Sequence, residues 1–357
     1  TAVALLSDYF HLRQTNKYKN ALEKEFEKQF YKDGVNEEQS IRYHKFALEF
    51  MIIAQVFLKI NTPRLKNAIE FLRYIEKPDN TWPSIGDDDL GCVLKNSMDL
   101  YDYDYCLSFK ENEKTKIKQT KEFPDGGFFI HKNNSTNNQI IIKYGPHKWH
   151  AHADLFHIEL TIAGAPILVD SGTYRYNNVP EERNYFRSTK AHNTLEYDGK
   201  DQTEQWTTFR WKKPAKAFNK SIREDKNKII FSAKHSGYKK YGIIHERTVE
   251  FNKELNELKV IDKLIGDNSK KAKIFWHFSP IIKLSRNAGS NKADGLNLFV
   301  IETEKTPLGT ILIKGSKSEI KKTPYSRYYS KTEENDTLIS KKNTDTDTII
   351  TTFIFNR

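Results

Sequence analysis

Imidazole, carboxylate and phenol groups crowd into one stretch of this chain, between Trp149 and Asn193. His150, His152 and Asp154 open it, Asp170, Tyr174, Arg175 and Tyr176 follow, and Arg187 and His192 close it. Such a set can move protons, bind a carboxylate or hold a divalent cation. His150 and His152 lie two apart, so in an extended segment both rings project from one face, which suits a base beside a ligand. Arg175, Arg183 and Arg187 match the fork geometry that carboxylate or sulfate accepts. Each reads equally as a structural ion pair, and that is the expectation for Arg183. Trp149, Trp206 and Trp211 offer faces for sugar stacking, with buried packing as the competing reading. Asp87, Asp88 and Asp89 lack the further spaced ligands of a calcium loop and read as a loop and helix-capping feature.

A second group lies upstream, where Glu38 and Ser40 precede Tyr43 and His44. Apolar residues recur at helical spacing behind it, as in Phe46, Phe50, Ala54 and Leu58, so Tyr43 and His44 sit at a helix start. Asp33-Gly34 reads as the end of the preceding helix, Thr62-Pro63 as an N-cap with a first-turn proline, and Pro78 as the stop that follows. Paired helices therefore fill the chain to about residue 120. From Phe123 the pattern becomes short runs of Ile, Val, Phe, Tyr and Thr punctuated by Gly, Asn and Asp. Gln139 to Tyr144, Leu155 to Ile162, Ile229 to Ala233, Glu257 to Ile265 and Ile349 to Phe355 read as strands. Asn133 to Asn138 is a polar loop, and Asn252 to Asn256 a hairpin turn. Lys331 to Thr348, charged and rich in Thr and Asp, reads as a mobile connection. The fold class is α+β in two domains, helical hairpins over 1–122 and a large antiparallel β-sandwich over 123–357.

A formal charge of +11 over 357 residues favours an acidic partner. A polyuronate, a nucleic acid and an anionic membrane all qualify, as does a solvated lysine surface. Lysines are scattered and not gathered with aromatics, so nucleic acid is not expected. No apolar run spans a bilayer, and no secretory leader opens the chain. Thr1 to Leu6 begins inside a helical pattern, the look of a chain cut from something longer. Cys92 and Cys106 form neither a disulfide framework nor a CxxC pattern. There is no phosphate-binding glycine loop.

The wording and order of these segments resemble the C-terminal half of the heparinase II/III-like polysaccharide lyases, whose relatives include alginate and oligoalginate lyases. Trp149 to Asp154, Leu168 to Tyr176 and Asn184 to Asn193 carry the resemblance, with Asp33 to His44 and, more weakly, Pro83 to Asp89 upstream. The resemblance implies that the helices are part of an (α/α) toroid. It implies that Tyr43 is the catalytic acid or joint acid and base, with His44 beside it, and that His150 is a catalytic or charge-neutralising histidine. Tyr176 matches a second tyrosine near the scissile bond, while Glu38, Trp149, Arg175 and Arg187 line the substrate. His152, Asp170 and His192 match the ligands of a divalent metal, most often zinc, with a structural role. Local geometry alone does not deliver that triad. A tight turn at Ala163 to Pro166 sets Asp170 opposite Glu159 and leaves His152 several residues beyond, unless 149–154 folds back as a loop.

The leading expectation is β-elimination on a uronate-containing anionic polysaccharide, a sulfated glycosaminoglycan, alginate or a capsular uronan. It requires removing the C5 proton, screening the carboxylate and protonating the departing O4. A uronyl C5-epimerase uses the same carbanion, a metal hydrolase uses the same ligands, and a non-catalytic glycan-binding or capsule-assembly protein keeps the fold alone. The family's upstream Asn-His pair would lie before Thr1, so this chain is expected to be a poorer catalyst than one that carries it. The substrate class implies a periplasmic or secreted location.

Overall fold

The computed structural model describes residues 1–60, 62–93, 118–266, 269–287, 296–304 and 306–356; Cys106 lies outside them. Four helices come first: α1 (Ala2–Tyr9), α2 (Thr15–Gln29), α3 (Ile41–Leu58) and α4 (Pro63–Ile75). The caps of α3 and α4 follow from the sequence. Ser40 Oγ accepts the Tyr43 N–H at 3.1 Å, Thr62 Oγ1 accepts the Arg64 N–H at 3.2 Å, and Pro63 fills the first turn where no donor is needed. Asp33-Gly34 lies four residues beyond the end of α2, in the turn that leads to α3.

The remaining described residues are mostly strand. A five-stranded sheet runs in sequence order, β1 (Thr120–Phe123), β2 (Phe128–Asn133), β3 (Asn138–Lys143), β4 (His157–Ile162) and β5 (Ala165–Leu168). It is the middle layer of the molecule. Phe129, Ile140, Ile142 and Ile158 point into one apolar core, whereas Phe123, Phe128, Ile130 and Ile141 point into another that they share with α1 to α4. Burial on both faces explains why Ile140-Ile141-Ile142 is a continuous apolar run and not an alternating one. The composition change therefore falls next to a layer that belongs to both cores.

Beyond it come the next described helix, α5 (Pro180–Arg187), β6 (Leu195–Tyr197), the small hairpin β7 (Glu204–Gln205) and β8 (Trp211–Lys212), and two larger sheets. Strands β9 (Ala217–Glu224), β10 (Lys228–His235), β11 (Ile243–Asn252) and β12 (Glu257–Gly266) run as a meander. They join β14 (Lys283–Arg286), β15 (Asn297–Glu302), β16 (Pro307–Lys314) and β19 (Thr348–Phe355) in an eight-stranded sheet. β13 (Ala272–His277), β17 (Ser316–Tyr325) and β18 (Glu333–Lys342) form a four-stranded sheet with β6. Every named strand pairing is antiparallel, and the three sheets share the larger core, centred on Phe231, Val260, Trp276 and Phe353. The polar loop at 133–138 and the turn at 252–256 fall where expected. The Lys331 to Thr348 connection does not hold: Glu333–Lys342 is a ten-residue strand, and Asn335, Asp336, Thr337 and Ser340 are buried in it.

Candidate active site

Four segments meet where the helical layer abuts the sheets, and Asp87 lies at their junction. Ser40 Oγ donates to the Asp87 carbonyl at 2.5 Å while it caps Tyr43, which ties the start of α3 to the 84–89 loop. The Ile41 N–H donates to Ile85 O, and the Asp87 N–H donates to His150 O at 2.9 Å. Thr173 Oγ1 donates to Gly86 O and accepts from the Asp88 N–H. At Gly86, φ is +75°, and a Cβ there would sit 2.6 Å from Gln39 O and 2.9 Å from His150 O. Only glycine permits the three backbones to approach this closely.

The Asp87 side chain is fully buried and saturated. Oδ1 accepts from His152 Nε2 at 3.0 Å and Arg183 Nη1 at 2.5 Å, while Oδ2 accepts from His150 Nδ1 at 3.0 Å and Arg183 Nη2 at 2.8 Å. Burial alone would raise its carboxyl, but the two imidazole hydrogen bonds and the Arg183 charge hold it well below the usual range. An ionised Asp87 requires a hydrogen on His150 Nδ1 and on His152 Nε2. That leaves the His150 Nε2 lone pair, 3.8 Å from Glu38, and the His152 Nδ1 lone pair as free acceptors. One carboxylate thus fixes the tautomers of two histidines.

Tyr43 packs its ring against that of His150, with centroids 4.4 Å apart. Its hydroxyl donates to Asp89 Oδ2 at 3.0 Å and lies 3.2 Å from the Tyr176 hydroxyl. Burial first, and then the acidic groups around them, raise both phenols well above their ordinary value, so each is held protonated. Phe209, in the loop of the β7–β8 hairpin, contacts both His150 and Tyr176. Three sequence candidates, Tyr43, His150 and Tyr176, therefore converge.

His152, Asp170 and His192 form the second cluster. All three are buried, and one potential ligand atom from each lies within 4.8 Å of the others. The 149–154 segment is a loop and not a strand, which is how His152 reaches Asp170. The tight turn does put Asp170 beside Glu159, whose Oε1 accepts the Asp170 N–H at 2.7 Å. His192 Nδ1 lies 2.9 Å from Asp170 Oδ2, and burial of Asp170 is outweighed by His192, which takes the carboxyl well below its usual range. His152 Nδ1 and His192 Nε2 are buried without hydrogen-bond partners. Two orphaned imidazole nitrogens beside an ionised carboxylate are the donor set that a divalent cation takes, so the residues fit one. His157, which the sequence reading did not single out, flanks the cluster, its Nε2 3.6 Å from Asp170. Its Nδ1 accepts the Asn193 N–H, so its Nε2 carries the hydrogen and is no ligand.

The other candidates hold structural positions or border the cluster. His44 is buried, with Nδ1 accepting from the Asn36 N–H and Nε2 bonded to Ala68 O, so no acid-base capacity is left and its role is structural. Arg187 is fully buried: it donates to Thr207 O at 2.7 Å and stacks on Trp211, holding the hairpin and not the substrate. Arg183 makes the expected ion pair, with Asp87. Arg175 is exposed, bonds Ser330 and lies over the Tyr174 ring, while Glu38 and the exposed Trp149 border His150. Asp88 and Asp89 do shape their loop by accepting the Leu90 and Gly91 N–H groups, but Asp87 is a buried hub and not a cap. The one described cysteine, Cys92, is exposed.

The family model of the heparinase II/III-like C-terminal domain matches residues 115–352. The chain belongs to that family. Among family relatives, a heparin-sulfate lyase of Bacteroides stercoris is 28% identical over 288 residues, which is 72% of this chain and 40% of the relative. A heparin-sulfate lyase of Pedobacter heparinus is 24% identical over 324 residues, 81% of this chain and 47% of the relative. The chain thus spans about half the length of the relatives it matches. A heparinase III structure superposes with a TM-score of 0.76 at 21% identity, over 96% of this chain and 56% of that one. The heparinase II/III-like fold therefore extends to the helical layer as well as the sheets.

Proposed function

We propose that this protein is a polysaccharide lyase that cleaves a uronate-containing anionic glycan by β-elimination, in the manner that the names of its heparin-sulfate lyase relatives suggest. The observation that carries the proposal is the convergence of Tyr43, Tyr176 and His150 on one another beside buried Asp87. In this reading His150 Nε2 takes the C5 proton, and the electron pair passes through the enolate to form the C4–C5 double bond. The C4–O4 bond breaks as Tyr43 donates its phenolic proton to O4. Tyr176 hydrogen-bonds Tyr43 and steadies the phenolate until solvent restores its proton. Asp87, ionised, keeps His150 in the tautomer whose free nitrogen faces the reaction and stabilises the imidazolium that forms.

His152, Asp170 and His192 would hold zinc or another divalent ion, which when bound supplies positive charge that ties three segments of the cleft wall together. No step needs an activated water. We place the helical layer, 1–122, as part of an (α/α) toroid, the sheets, 123–357, as the partner domain, and the protein in the periplasm or outside the cell. No helix among the described residues is long and apolar enough to cross a membrane.

The test is the ultraviolet absorbance of unsaturated uronate ends on heparan sulfate, chondroitin sulfate, hyaluronan, alginate and a capsular uronan. A rise with one polymer is the expected result. Deuterium entering C5 without chain shortening would replace elimination by epimerisation, and a flat trace with tight polymer binding would leave a glycan-binding protein.

A further inference from the structure

A cavity of about 960 Å³ lies next to the Tyr43 and His150 cluster, not inside it. Its walls are the 144–149 segment, the β7–β8 hairpin and the start of β9, with Trp149 and Trp206 on its lining. Both indoles are open, at 65% and 60% exposure, whereas Trp211 behind them is buried. A soluble domain gains nothing by leaving two large rings in water at the mouth of one cavity, and aromatic faces there are suited to the apolar faces of sugar rings. Lys148, Arg210, Lys216 and Lys220 also line it. Lys220 is paired with Glu122, and Lys148 lies 3.9 Å from Glu37, while no acidic partner is found for Arg210 or Lys216 among the described residues. On the same lining, His147 has both ring nitrogens buried without a hydrogen-bond partner.

The cavity and the catalytic cluster share two walls. Trp149 precedes His150 in the chain, and the hairpin loop presents Phe209 to His150 and Tyr176 while it presents Trp206 and Arg210 to the cavity. That loop is not free to swing. Arg183 donates to Thr208 O and Arg187 to Thr207 O, and the Trp206 N–H closes the turn on Arg210 O. A chain bound at Tyr43 therefore meets a preformed, basic, aromatic recess at the next positions along its length.

We propose that this recess is a saccharide subsite that binds the anionic sugars flanking the bond to be cleaved, stacking them on Trp149 and Trp206 and pairing their carboxylate or sulfate with Arg210 and Lys216. The volume, near the top of the range of about 300–1,000 Å³ for small-molecule sites, suits a short oligosaccharide and not a single ring. The proposal rests on the polysaccharide reading of the cleft and adds to it a dependence on chain length.

The experiment compares wild type with the Trp149→Ala/Trp206→Ala and Arg210→Glu/Lys216→Glu double variants, on a ladder of heparan sulfate oligosaccharides from disaccharide to decasaccharide. All four residues are exposed, so circular dichroism and melting should match wild type. Affinity is read by calorimetry on the Tyr43→Phe background, and kcat and KM on the active background. The expected result is a loss of about tenfold in affinity, and a matching rise in KM for the longer oligosaccharides, from removing two stacking faces. The gain in affinity from disaccharide to decasaccharide should shrink in both variants, while it persists in wild type. Equal affinity of wild type and both variants at every length would overturn the subsite, even if the polymer is cleaved. Tryptophan-dependent binding of the long oligosaccharides without cleavage would support the subsite and overturn the lyase reading instead.

Discussion

Two buried carboxylates in this molecule each gather histidine and arginine, and they differ in what is left over. Asp262, in β12, accepts from His245 Nε2 at 2.6 Å and from Arg247 through Nε and Nη2. His235 Nε2 bonds His245 Nδ1, His235 Nδ1 accepts the Gly237 N–H, and Arg247 Nη1 donates to Phe156 O and Asn193 O. The ring nitrogens and the guanidinium there are all partnered. Around Asp87 the same residue types leave His152 Nδ1 and, across the adjoining cluster, His192 Nε2 without partners, and His150 Nε2 faces only Glu38 at 3.8 Å. A closed network of this kind specifies a core, whereas an open one keeps acceptor atoms that a ligand or a proton can use. Residue type alone does not separate the two; the orphaned atoms do.

The largest expected effect belongs to the closed network. Asp262→Asn strands the Arg247 charge and should cost about 3–5 kcal/mol of stability, read by urea unfolding, with cation affinity unchanged in the protein that remains folded. A variant of wild-type stability would mean that Asp262 is not the anchor it looks. Next, a divalent cation at a hundred times its Kd should stabilise the wild type by about 2.7 kcal/mol, lost on chelation. Melting curves that ignore zinc, calcium and magnesium alike would remove the ion from the account. Asp87→Asn should weaken cation affinity by about 10–100-fold, because His152 loses the acceptor that orients it, while Asp262→Asn leaves that affinity intact. Equal effects of the two substitutions would erase the contrast.

The smallest effect is acid sensitivity. Burial lowers His44 to about 4, and His235 is also held far below its ordinary value by burial. The unfolded chain binds protons from about pH 6.5 downward while these folded rings do not, so stability is full above pH 6.5 and falls as pH drops toward 4. From pH 6.5 to 5.5 each such ring costs about 1 kcal/mol. Unfolding free energies that stay level from pH 7.5 to 5.5 would contradict the neutral assignment.

The helix starts, most strands and the convergent groups at Tyr43, His150, His152, Asp170, Tyr176 and His192 were legible in the sequence, through capping residues, apolar runs and resemblance. Asp87 was not, because its partners lie 63, 65 and 96 positions away, beyond any local pattern. A run of three acids in a chain of net charge +11 was the available signal. Glu333–Lys342 escaped because what it buries is polar. Asn335 donates to Phe278 O, Asp336 accepts the Leu284 N–H and Thr337 bonds His277, and hydrophobic periodicity does not register such a face. His44 and Arg187 misled in the opposite sense, since reactive side-chain types were consumed by backbone carbonyls and amides.

The most direct test of the central claim is the initial rate of unsaturated-uronate formation by wild type and Tyr43→Phe on the polymer that wild type cleaves, with bound metal measured in both. Loss of one phenolic proton donor should slow the variant by about a hundred- to ten-thousand-fold at unchanged metal content. A Tyr43→Phe protein that cleaves at the wild-type rate would contradict the assignment of proton chemistry to the Tyr43, His150 and Tyr176 cluster.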